Sequence, residues 1–104
     1  MTTSEVVEGD ALVAAVWRAR PKAVTICGST GCGYSQYAAP LLVGGASVNW
    51  LNGVIRRTVR SHEVAVVMHV RGDKRTSEAI RRLGLSPDDV AALQVGQAFL
   101  VYPN

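Results

Sequence analysis

Cys32-Gly33-Tyr34-Ser35 sets a thiol, a flexible residue, a phenol and a hydroxyl side by side, with Ala39-Pro40 a turn and a half further on. Two chemistries are open to this stretch. A cysteine at a helix N-terminus has its thiolate stabilised by unpaired N–H groups and the helix dipole, which lowers its pKa from about 8.5 toward neutrality. Cys32 is then the nucleophile, Ser35 donates a hydrogen bond to the sulfur, and Gly33 and Tyr34 shape the approach. Alternatively, the run Gly-Ser-Thr-Gly-Cys-Gly-Tyr-Ser from Gly28 is a glycine-rich turn after a short apolar segment. Backbone N–H groups of such a turn can wrap a phosphate in front of a helix N-terminus. Gly28, Gly31, Gly33 and Ser35 form that candidate phosphate-binding set, with Ser35 able to hold Mg²⁺.

The second chemistry is incomplete. Tyr34 stands where a P-loop has the lysine that reaches the β- and γ-phosphates, so any nucleotide site here is a degenerate P-loop. Pro40 falls inside the helix that should follow, where it removes a hydrogen bond at about 3 kcal/mol. No later apolar strand ends in a metal-holding aspartate, since Arg71 and Gly72 separate Val70 from Asp73. The simpler alternatives are a glycine turn without a phosphate role and an inert Cys32 within it.

Cys27 is a possible resolving thiol for Cys32, although the end of a strand points it toward the core. A bridge needs the two Cα atoms within about 7 Å. His62 and His69 are too far apart along one strand to chelate a single metal, so no metal site is expected. Arg71-Gly72-Asp73 spells an adhesion tripeptide of a kind that recurs by chance, and Trp17 and Trp50 read as core anchors.

With 104 residues, nearly half of them apolar, the chain is expected to be one globular domain over residues 1–104. Glu5, Glu8 and Asp10 argue against a signal peptide, and the weakly polar run Tyr37 to Val48 is broken by Pro40, Gly44 and Gly45. Two cysteines do not make a secreted disulfide framework, so the cytoplasm is the expected location, without a membrane. The net charge of +3 is uneven: Arg56, Arg57, Arg60, Arg71, Lys74, Arg75, Arg81 and Arg82 face only Glu63, Asp73 and Glu78. This Arg56–Arg82 region is a candidate surface for an acidic partner; without interleaved aromatic residues it is a poor nucleic-acid platform. Solvated helix faces are its plainer explanation.

The elements that must position these residues follow from periodicity and stop signals. Asp10 caps a helix over 11–20 with Leu12, Val13, Val16 and Trp17 on one stripe, ended by Pro21. Residues 23–27 read as a buried strand, 28–31 as a loop, and a helix opens near Cys32 and passes through Pro40. Trp50, Leu51, Val54, Ile55 and Val59 recur at helical spacing and predict a helix over 48–60. Residues 63–70 read as a central strand, 76–83 as a helix stopped by Gly84, Ser86-Pro87 as a helix start, and 97–102 as a last strand. The order α-β-α-α-β-α-α-β implies an α/β fold with a small, mostly parallel central sheet flanked by helices.

Cys32 to Leu42 resembles the active-site helix of the thioredoxin-like superfamily, in which an Ala-Pro pair eight residues after the first cysteine kinks the helix. Cys-Gly-Tyr-Ser is also similar to the Cys-Gly-Phe-Ser site of monothiol glutaredoxins. The resemblance extends to 63–70 as the next central strand, 76–84 as the connecting helix and 98–104 as the strand and turn after it. It implies a thioredoxin-like domain acting by monothiol thiol-disulfide exchange, with a small thiol such as glutathione or a protein disulfide as partner and no further cofactor. Ser35 replaces the resolving cysteine, Ile26 and Gly31 stand in place of a buried aspartate and a tryptophan, and Gly96-Gln97 occupies the place of the cis-proline. The stretch after Pro40 is longer than the family's, and its last strand and helix have no counterpart.

Overall fold

Residues 5–103 are described by the computed structural model, so the parts of the single-domain assignment at 1–4 and 104 lie outside the described residues. The chain runs β1 (Val7–Glu8), α1 (Gly9–Arg18), β2 (Ala23–Gly28), α2 (Ser35–Val43), β3 (Ser47–Asn52), β4 (Glu63–Met68), α3 (Lys74–Arg82), α4 (Pro87–Ala91) and β5 (Gln97–Val101). The strands form one sheet in the order β1-β5-β4-β2-β3. Central β4 is buried along its whole length and β2 from Val24 onward. That is why their sequences are continuous apolar runs instead of alternating ones.

Helices and loops cover both faces. α1 and α2 pack Leu12, Val13, Val16, Tyr37 and Leu41 against Val24, Ile26, Val64, Val66, Met68 and Leu100. The other face sets Cys27, Ala65, Val67 and Phe99 under α3, α4 and the extended segment carrying Val54 and Ile55. Thr25 and Glu63 are the polar side chains in this interior. They satisfy each other, with the Thr25 hydroxyl donating to Glu63 Oε2 at 2.7 Å.

The sheet is mixed, not mostly parallel. β2 is parallel to β3 and β4, while β5 is antiparallel to both β4 and β1. Two helices separate β4 from β5, so the chain returns to the end it left and β5 runs back down. The helix expected over 48–60 is instead β3 followed by an irregular segment. β2 offers Ala23 to Gly28 as a template for Ser47 to Asn52, and this pairing overrides the helical spacing. Val48 and Trp50 alternate inward and Leu51 faces solvent.

Smaller differences have local causes. α1 starts at Gly9 with Glu8 in the cap position, so Asp10 lies in the first turn instead of capping. Trp17 is 44% exposed instead of anchoring the core. Asp73 caps α3 by accepting from Thr76 N–H at 3.1 Å, which gives the adhesion-like tripeptide a structural role. No described helix is long and apolar enough to cross a membrane.

Candidate functional site

β2 ends at Gly28, and the turn that follows is held by backbone bonds to its neighbours. Ser29 N–H donates to the His69 carbonyl at 2.9 Å, Gly53 N–H to that of Gly28 at 2.9 Å, and Cys32 N–H to that of Ser29 at 3.1 Å. Gly31 and Gly33 adopt left-handed φ of 88° and 94°. A helix cannot start across such residues, so α2 begins at Ser35 and not near Cys32. Pro40 lies within α2, as the sequence implies.

Cys32 is only 2% exposed. Its Sγ lies 3.9 Å from Met68 Sδ, and a Cβ on Gly28 would come within 2.9 Å of it. Gly28 is therefore a glycine because the sulfur rests on it. Burial pushes the thiol pKa up, while the Tyr34 N–H and its own N–H turn toward the sulfur and offset part of that rise. At neutral pH the group is a covered, neutral thiol and not the activated thiolate that a helix-capping cysteine would be.

The Cys32 carbonyl accepts from Gly96 N–H at 3.0 Å, which docks the turn before β5 onto the site. Gly33 is closed in by the same turn, since a Cβ there would meet Gly96 N at 2.8 Å and Val95 Cγ1 at 3.0 Å. Tyr37 ties the arrangement to α1: its hydroxyl donates to the Gly96 carbonyl and accepts from Gly9 N–H at 2.8 Å. Gly96-Gln97, where the resemblance expects a cis-proline, has trans peptides. Sequence reasoning missed Tyr37, and at Gly96 it read only the missing cis-proline and not the bond to the Cys32 carbonyl.

Tyr34 stacks on Trp50 with ring centroids 3.9 Å apart and 11° between planes. This explains the half-burial of Trp50 and commits the phenol to an aromatic stack. Ser35 is exposed at the start of α2, and no hydrogen bond joins it to Cys32 among the described residues. The N–H groups of Thr30, Gly31, Gly33 and Ser35 find no backbone acceptor there either. Cys32 and Tyr34 N–H are engaged inward between them, so the four open groups do not form a continuous run, but each remains available to an anion.

Cys27 does not join the site. It is fully buried on the opposite face of the sheet from Cys32, and both thiols are free. Burial is the main reason its pKa rises to about 11. It cannot resolve a disulfide at Cys32 without unfolding the sheet. Nor does a set of three His, Cys, Asp or Glu side chains cluster as metal ligands among the described residues. His69 is half-buried beside the turn, and its Nδ1 has no hydrogen-bond partner there. No family model matches the chain, and neither does any curated protein or solved structure.

Proposed function

We propose that this chain is a thioredoxin-like monothiol exchange domain whose thiol is covered at rest. One observation carries this. The connection from β2 to proline-bearing α2, which carries Cys32, meets the turn before antiparallel β5, a stretch far from it in sequence. A phosphate loop would use the β2–α2 connection alone and leave the docking of Gly96 on Cys32 without a purpose. The order of β2, α2, β4, α3 and β5 agrees with the resemblance, and the longer stretch after α2 supplies β3 and the segment behind it.

In the exchange, the opened Cys32 loses its proton to solvent and its sulfur attacks one sulfur of a disulfide. A Cys32–S bond forms, the partner's S–S bond breaks, and the other half leaves as a thiolate. With Cys27 on the far face, a second external thiol must release the adduct. Glutathione disulfide or a protein disulfide is the proposed substrate, and unpaired thiols suit the reducing cytoplasm.

The unpaired N–H groups at Thr30, Gly31, Gly33 and Ser35 favour a second reading, a phosphate-binding module without redox chemistry. Exposure to glutathione disulfide followed by mass spectrometry, beside calorimetry with inorganic phosphate, separates the two. Exchange predicts one adduct on folded protein, located at Cys32 and absent from Cys32→Ser. Saturable phosphate binding that shifts the amides of residues 30–35, with Cys32 unmodified at pH 8.5, would overturn it.

A further inference from the structure

At the opposite end of the sheet from Cys32 lies a cleft of about 670 Å³ that the thiol chemistry does not use. Arg56, Arg57 and Arg82 line it, over an apolar floor that includes Ile55, Leu83 and Val101. Val101 pairs with Ala65 near the start of β4, whereas Cys32 touches Met68 at its end. The cleft is therefore a separate place on the molecule.

Its charges are organised. Arg57 Nη1 and Nη2 donate to Glu63 Oε1 and Oε2 at 2.7 and 2.8 Å, a fork that fixes the guanidinium plane. Glu63 is itself held by the Thr25 hydroxyl and by Arg60 N–H at 3.2 Å. The Arg57–Glu63 pair is neutral overall. Arg56 and Arg82 are exposed and close no salt bridge among the described residues, although Arg56 is near enough to Asp73 to help lower its carboxyl pKa. Among the described residues no carboxylate lines the cleft. The ligand-facing charge is thus two guanidiniums beside an apolar floor.

We infer that this cleft binds a small organic phosphate monoester, with its dianionic group between Arg56 and Arg82 and its apolar body on the Ile55–Leu83–Val101 floor. Guanidinium groups match phosphate oxygens in bidentate geometry, which is why arginine serves such sites. The cleft volume falls within the roughly 300–1,000 Å³ of small-molecule sites. A run of acidic side chains on a protein partner would need cations spread along a surface, and here Arg56 and Arg82 line one concavity. Arg57, locked to Glu63, lines the cleft without adding net charge to it.

Phenyl phosphate titrated against the whole chain, followed by calorimetry and amide NMR shifts, tests this. Phenyl phosphate should bind about tenfold more tightly than inorganic phosphate, and phenol should show no saturable binding. Arg56→Gln and Arg82→Gln should each weaken it about fivefold or more, and the double variant should abolish it. Arg81→Gln, which does not line the cleft, and Cys32→Ser should leave affinity unchanged, so the outcome is independent of the thiol chemistry. The amide spectra of the arginine variants confirm that they fold. Equal affinity for phenyl and inorganic phosphate, or full affinity in the folded double variant, would overturn the proposal.

Discussion

Glu63 lets a prediction be worked from geometry to a number. It is 3% exposed, yet it keeps a charge through the Arg57 fork, the Thr25 hydroxyl and Arg60 N–H. The hydrogen-bonded guanidinium is the largest cause of a carboxyl pKa lowered from 4.5 to about 2. A pKa depressed on folding stabilises the protein above the unfolded value, and that stability is lost as pH falls toward the folded value. At about 1.4 kcal/mol per unit, the full effect is about 3 kcal/mol at neutral pH. Because Arg57 is 40% exposed, solvent screens one side of the pair and brings the expected value to about 2 kcal/mol.

Most of that should vanish between pH 5 and pH 2. Urea melts at pH 7 and pH 3, on the native chain and on Glu63→Gln, measure it. The native chain should lose about 1 to 2 kcal/mol more than the variant over this interval. Exposed carboxylates titrate alike in both proteins and cancel in the difference. Parallel loss of stability in the two proteins would refute the claim that Glu63 is ionised in the fold.

Three further outcomes bear on the site. Alkylation of Cys32 by iodoacetamide in the folded chain should be slow at pH 7 and still climbing above pH 8.5, with Cys27 silent until the protein unfolds; a plateau below pH 8 would contradict the covered thiol. Tyr34→Lys should not create Mg²⁺-dependent ATP binding by calorimetry and should lose about 0.5 to 1.5 kcal/mol in a urea melt through the lost stack on Trp50, whereas measurable nucleotide affinity would revive the phosphate loop. Tyr37→Phe removes one of the bonds that dock Gly96, and it should speed Cys32 alkylation about fivefold if the turn is the gate; an unchanged rate would show that the cover lies elsewhere.

What was legible in the sequence was what apolar continuity and stop signals encode locally. β4 could be read because five of its six residues are apolar, and α3 because Gly84 stops it and its apolar residues recur on one face. β3 was not legible: Trp50, Leu51, Val54 and Ile55 fit a helix as well as an edge strand, and only pairing with β2 decides between them. The direction of β5 depends on two helices returning the chain, a matter of topology and not of composition. At the site, residues 28–35 could be singled out, but the helix start could not. It turns on the left-handed φ of Gly33, which the turn at Gly96 enforces from 63 residues away.

The proposed exchange requires Cys32 to be uncovered, and the Val95–Gly96 turn docked on its carbonyl is the segment proposed to move. Val95 is 70% exposed, so moving it gives up little apolar contact. Displacing the turn breaks two bonds identified at the site: Gly96 N–H to the Cys32 carbonyl, and the Tyr37 hydroxyl to the Gly96 carbonyl. At roughly 1 kcal/mol net for each, opening costs about 2 kcal/mol. If that turn is the cover, an opened state of a few per cent is expected, which would lower the observed rate about thirtyfold without abolishing it. Once open, the sulfur sheds much of the desolvation that raises its pKa, and the Tyr34 N–H remains beside it as a donor. A disulfide partner that takes the place of the Val95–Gly96 turn would supply the missing contact itself, so selectivity would reside in what can replace that turn.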